Sequence, residues 1–137
     1  MGYETDTYTL APASAAMTSG TWYFPATAAY YFGGSDFTKG VIRLTTTATG
    51  AGTAIAVGLQ SSPDGGTTWF PDAAGMADAA AYESQTVTVP TTTAHWEFTF
   101  SAFPGNLFRL GVLVTGGSAP VLVAASGDFE KEIPDNT

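Results

Sequence analysis

Covalent and acid–base catalysis need a nucleophile beside a base, or two carboxylates held across a cleft. The chain has one histidine, His95, at the start of an alternating stretch with no serine or aspartate motif around it. That setting reads as an ordinary surface or half-buried side chain. The acids are Glu4, Asp6, Asp36, Asp64, Asp72, Asp78, Glu83, Glu97, Asp128, Glu130, Glu132 and Asp135. Most fall in turn-like or terminal stretches, where a short carboxylate ties the backbone. Asp64, Asp72 and Asp78 are conceivable Ca²⁺ ligands, but their spacing fits no Ca²⁺ loop, and they read as solvated turn carboxylates. Gly33-Gly34 and Gly116-Gly117 lack the Lys-Ser/Thr and the helix of a phosphate loop. The absence of cysteine removes disulfides, thiolate metal sites and thiol nucleophiles together. The expectation is a protein that is not an enzyme and carries no cofactor and no metal.

The sharpest local signal is Ser61-Ser62-Pro63-Asp64-Gly65-Gly66-Thr67-Thr68-Trp69-Phe70. Asp64 can turn its carboxylate onto backbone N–H groups two residues on, which fixes a tight turn. Gly65 and Gly66 supply the positive φ that a short hairpin demands. Trp69 offers a large apolar plate to seat the turn. Ser62, Asp64, Gly66, Thr68 and Trp69 are therefore expected to build a structural hairpin and to do no chemistry of their own.

Composition narrows the partners. Charged residues make up 12% of the 137 residues, so the polar surface must be built from Thr, Ser, Gly and Ala, and it is poorly protected against association. The net charge is −8, with Lys39, Arg43, Arg109 and Lys131 as the cations. Without a basic stripe, neither nucleic acid nor an anionic membrane is an expected partner. No apolar run approaches the ~20 residues of a helical membrane span. The acidic, polar start Met1-Gly2-Tyr3-Glu4-Thr5-Asp6 does not read as a secretory signal. Trp22, Tyr23, Tyr30, Tyr31, Trp69 and Trp96 could line a sugar-stacking face, although aromatics at strand positions usually belong to a core.

The elements that must position these residues are strands. Val41–Thr47, Ala54–Ser61, Gln85–Val89, His95–Phe100, Leu107–Val114 and Pro120–Phe129 are β-branched, apolar or alternating, and Gly/Pro turns separate them. Thr21–Pro25 is a dense aromatic strand, and Pro71–Ala81 is the one place for a short helix or ordered loop. About eight short strands define an all-β fold, an antiparallel β-sandwich or jelly roll with an extended N-terminal arm. The domain spans residues 21–129. Residues 1–20 read as arm and linker, or equally as a first edge strand, and residues 130–137 as a loose acidic tail. Residues 107–114 and 121–125 are apolar on both faces, which calls for a second cover from residues 72–81, the arm or a neighbouring subunit. Tyr3, Tyr8 and Leu10 in the arm, with Trp22, Tyr30, Tyr31, Leu107 and Leu113, are the candidate interface.

The S-x-D-x-G-x-T-W spacing of residues 62–69 resembles the Asp-box hairpin of sialidases and many other β proteins. None of the sialidase arginines or nucleophile is matched, so their activity does not carry over. Ala56–Trp69 further resembles the "v-x-v-Q-x-S-x-D-G-G-x-T-W" hairpin of small virion proteins of tailed bacteriophages. Leu107–Gly116 is similar to their "lRv-x-v-x-v-t-G" strand, and Pro120–Phe129 to the final strand after it. The likeness covers roughly residues 55–129, and the N-terminal third matches nothing in that family. The resemblance implies a structural virion protein, foremost a capsid decoration (cement) protein on the outer head surface. Its implied partners are the major capsid protein and copies of itself, as trimer or dimer. A tail or head–tail junction component and a carbohydrate-binding β-sandwich module are the alternatives.

Overall fold

A computed structural model describes residues 2–33, 37–47, 54–70, 85–88, 95–103, 106–116 and 121–133. The described residues form an antiparallel β-sandwich of nine strands, two of them only two residues long. The strands are β1 (Gly2–Thr9), β2 (Ala15–Ala16), β3 (Phe32–Gly33), β4 (Phe37–Thr46), β5 (Ala54–Ser62), β6 (Gln85–Thr88), β7 (His95–Phe103), β8 (Leu107–Thr115) and β9 (Val121–Ile133). A single 3-10 turn, Ala28–Tyr30, precedes β3. One sheet has the order β1-β9-β4-β7, with β2 also on β9, and the other has β3-β8-β5-β6. The expected helix or loop at Pro71–Ala81 lies outside the described residues, as do Asp36, Asp72, Asp78 and Glu83.

Period-two burial produces the core. Ile42 and Leu44 of β4, Ile55, Val57 and Leu59 of β5, and Phe108, Leu110, Val112 and Val114 of β8 all point between the sheets and are buried. Trp96 and Phe98, with Phe100, close it from β7 as their alternation predicts. At one end the rings form a column. Phe129 stacks on Phe32 at 4.5 Å and lies 5.4 Å from Phe37, and Phe32 stacks on Phe108 at 5.7 Å. Each fully buried ring contributes about 1.5–3 kcal/mol over its exposed state. Gly127 makes room for this column: a Cβ there would meet Phe129 Cε2 at 2.5 Å and Leu10 Cδ1 at 3.0 Å.

Residues 2–17 belong to the sandwich. β1 runs unbulged against β9 from Gly2↔Ile133 to Thr9↔Ser126, so the extended N-terminal segment is an edge strand. Residues 10–17 are core rather than linker, because Leu10, Ala11, Ala15 and Met17 are buried. They descend through a turn in which Ser14 takes the left-handed conformation, φ 58°. Thr21–Pro25 is not a strand. It lies alongside β8 through one bridge, Tyr23↔Val112. At the other terminus Glu130–Ile133 continue β9 instead of fraying as a tail. A bulge interrupts the pairing of β9 with β4, where Thr45 faces Ala124 and Thr46 faces Leu122; the extra residue, Val123, is exposed.

Candidate interaction surfaces

The 62–69 hairpin is held by its own polar atoms. Ser62 Oγ donates to Asp64 Oδ1 at 2.8 Å and accepts the Gly66 N–H at 2.8 Å, while the Thr68 N–H reaches Asp64 Oδ1 at 2.8 Å. Those bonds, from the Thr68 backbone first, then the Thr68 hydroxyl and Ser62, hold the Asp64 carboxyl below its ordinary range. Gly65 and Gly66 have φ of 74° and 99°, the conformation for which the sequence supplies glycine. Beyond the turn, Ser61 and Phe70 exchange both backbone hydrogen bonds at 2.8 Å. Trp69 meets Tyr31 edge-on at 4.9 Å, so Tyr31 helps to seat the turn.

Around Trp69 lies a cluster that sequence reading did not assemble. Arg109, on the outer side of β8, donates from Nε to Gln60 Oε1 at 2.7 Å. Its guanidinium carbon sits 4.4 Å from the Trp69 ring centroid and 4.7 Å from that of Phe24. Phe24 in turn stacks on Trp22 at 6.3 Å. The segment carrying Trp22 and Phe24 is fixed by backbone bonds along β8: Gly20 N–H to Val114 O and Tyr23 N–H to Val112 O, both 2.8 Å. The second cover expected for β8 is therefore supplied in part by the chain's own residues 20–31. Leu107 and Leu113 are half-buried. The outward positions Ala56, Gln60 and Ser62 of β5 are buried as well. Trp22 Nε1 is shielded from solvent and has no hydrogen-bond partner among the described residues. The alternation of Arg109 with apolar neighbours was the available signal, but nothing in the chain order announced that Phe24 and Trp69 would meet it.

The outer face of the other sheet is charged. Arg43 bonds Asp128 Oδ2 at 2.6 Å and Glu97 Oε2 at 2.9 Å, and Thr7 Oγ1 donates to Asp128 at 2.7 Å. Thr7 and then Arg43 hold the Asp128 carboxyl below its ordinary range. Lys39 pairs with Glu130 at 3.8 Å, and Lys131 with Asp6 at 3.2 Å. His95 is exposed with Nδ1 3.5 Å from Thr45 Oγ1, at an open depression of about 240 Å³ that Arg43, Thr45, Trp96 and Glu97 also line. Among the described residues, no three His, Asp or Glu side chains gather as a metal site. No described helix is long and apolar enough to cross a membrane.

The expected interface residues divide. Tyr3 is 62% exposed and free to meet a partner. Leu10 is not an interface residue: it shares the inward parity of Tyr8, and its side chain is fully buried in the core. Tyr8 is half-buried against Phe32, Phe37 and Phe129 at 5.8–6.3 Å. Burial first, then Asp6, raises its hydroxyl pKa. Trp22 and Tyr31 are half-buried at the Arg109 cluster, through Phe24 and Trp69, and Tyr30, Leu107 and Leu113 are half-buried as well.

The architecture thus defines an antiparallel β-sandwich with one aromatic outer face and one ion-paired outer face. No family model matches the chain, and no curated protein matches it.

Proposed function

We propose that the chain is a structural virion protein: a capsid decoration protein that binds the outer surface of a phage head and stabilises it. The observation that carries this reading is the hairpin. The stretch most similar to phage virion proteins spends its polar chemistry on itself, through Ser62, Asp64, Gly66 and Thr68. The other two similar stretches form β8, paired with β5 directly beside the hairpin, and β9. A chain with only 12% charged residues has few charges to cover its surface, which favours contact with protein over free solution. The partners are the major capsid protein and further copies of the chain. A protein that binds only the assembled shell stabilises it by mass action.

Quantitative mass spectrometry of purified virions tests the proposal. A decoration protein is present in hundreds of copies on the head. Absence from virions overturns a virion role altogether, and a handful of copies per particle moves the protein to the tail or head–tail junction. The Trp22–Phe24–Arg109–Trp69 cluster favours a second reading, a carbohydrate-binding module, in which one exposed ring face would stack on a sugar. A glycan array decides it: binding abolished by Trp22→Ala in a chain that still folds supports this reading, and an array without signal removes it.

A further inference from the structure

Each sheet has two ends: β7 and β6 close one end apiece, and the other two, at β1 and at β3 beside β8, differ in character. On β8, the chain's own residues fill the edge, through Gly20, Tyr23 and β3. On β1, an eight-residue strand without proline, lysine or bulge runs along β9 and carries nothing on its other side among the described residues. Proline, lysine and bulges are among the devices by which proteins blunt an edge; the charges that β1 does carry, Glu4 and Asp6, limit the registers it can adopt. The pairing phase identifies the open groups. Leu10 N–H donates to Ala125 O, so Leu10 and, by period two, Tyr8, Asp6 and Glu4 direct their backbone groups to β9. The N–H and C=O groups of Tyr3, Thr5, Thr7 and Thr9 therefore point away from the sheet.

We propose that this edge pairs with the same edge of a second copy, antiparallel about a two-fold axis at Thr7, joining two five-stranded sheets into one continuous sheet. Sequence selects the register. Outward groups can bond only if odd positions face odd positions. An axis at Thr5 sets Glu4 against Asp6 of the second copy, and an axis at Asp6 sets the two Asp6 side chains against each other. Like charges directly opposite are destabilising. An axis at Thr7 sets Thr5 opposite Thr9 and Asp6 opposite Tyr8. It is the longest register that opposes no two acids. Asp6 is also partly neutralised by Lys131 within its own chain. The surface pairs isologously, as a closed dimer requires. Because each copy carries a net charge of −8, screening strengthens the association. The inference stands whether or not the protein belongs to a virion.

The chain has no cysteine, so an introduced thiol reports alone. Thr7→Cys places two thiols across the axis at a Cα separation of about 5.5 Å, within disulfide range. Under mild oxidation this variant should give a covalent dimer far faster than Ala13→Cys, an exposed control away from the strand. Sedimentation velocity of the unmodified full chain should show a monomer–dimer equilibrium that shifts toward dimer as salt is added. Thr5→Pro removes an outward N–H without touching the β9 ladder, so it should abolish dimerisation and leave the circular-dichroism melt nearly unchanged. The proposal fails if the unmodified chain stays monomeric at millimolar concentration. It also fails if folded Thr5→Pro dimerises like the parent, or if the two cysteine variants cross-link at equal rates. A chain that stays monomeric yet is found in virions would overturn this edge while leaving the virion reading intact.

Discussion

Arg43 and Arg109 occupy comparable outward positions on the two sheets, yet their charges are satisfied by different physics. Arg43 is held by two carboxylates on an exposed face. Solvent and salt compete for each of those contacts, so the network orders the surface while adding little stability. Arg109 has a neutral amide and two aromatic faces. A guanidinium is weakly hydrated and planar, and it can lie on rings where an ammonium would keep its water. One face of the sandwich is therefore a screened ionic lattice. The other is a small satellite core that ties residues 22–24 to the 62–69 hairpin.

The difference breaks most clearly at Arg109. Arg109→Ala should destabilise the chain by about 2 kcal/mol through the loss of cation–π packing and of the charged bond to Gln60. Arg109→Lys should recover only a minority of that in a chemical-denaturation midpoint, and high salt should change neither result. Recovery of full stability by lysine would show that charge, and not the planar stack, is what matters there.

The hairpin comes next. Asp64→Ala should lower the melting temperature near neutral pH by less than Arg109→Ala does. The carboxyl is held below its ordinary value of 3.8 in the fold, so its stabilisation is complete above that value and fades as pH falls through the lower folded pKa. The melting temperatures of parent and variant should therefore converge in acid. Asp128 follows the same direction, so a parallel Asp128→Asn series separates the two contributions.

Smaller still is Arg43→Ala, whose effect on the melt should shrink as salt rises, in contrast to Arg109. An effect that persists at molar salt would mean that the ion-paired face is as dry as the aromatic one. Away from both faces, Ser14→Gly relieves a left-handed residue and should raise stability slightly, by about 0.5 kcal/mol, measured by the same melts.

Much of the fold was legible because it is written in local periodicity. The alternation of Trp96, Phe98 and Phe100, and of Ile55, Val57 and Leu59, names the inward faces before any partner is known. The hairpin was legible for a similar reason: Ser62, Asp64, Gly66 and Thr68 interact within four residues of one another, so their types and spacing carry the geometry. Residues 1–20 were not resolved by such reasoning. A threonine-rich alternating segment reads alike as a free arm or an edge strand, and Leu10 is buried only where its backbone meets Ala125, more than a hundred residues away. Thr21–Pro25 carried strand composition, but it meets β8 only at the Tyr23↔Val112 bridge, and Pro25 just after it has no N–H to extend a ladder. Val123 looked like a covered position because an apolar run does not reveal a bulge.

By itself, then, the sequence determined strands β4 to β9 in outline, the inward faces of those that alternate, the self-contained turn at Asp64 and a composition poor in charge. Those properties depend on residues that are neighbours in the chain, at the spacings that helices, strands and turns impose. The tertiary structure alone decided that Arg109 rests on Phe24 and Trp69, that β1 closes onto β9, and that, among the described residues, the edge of β8 is filled while that of β1 is left open. Each of these joins residues far apart in sequence, and its free energy exists only once two sheets have packed and excluded the water between them.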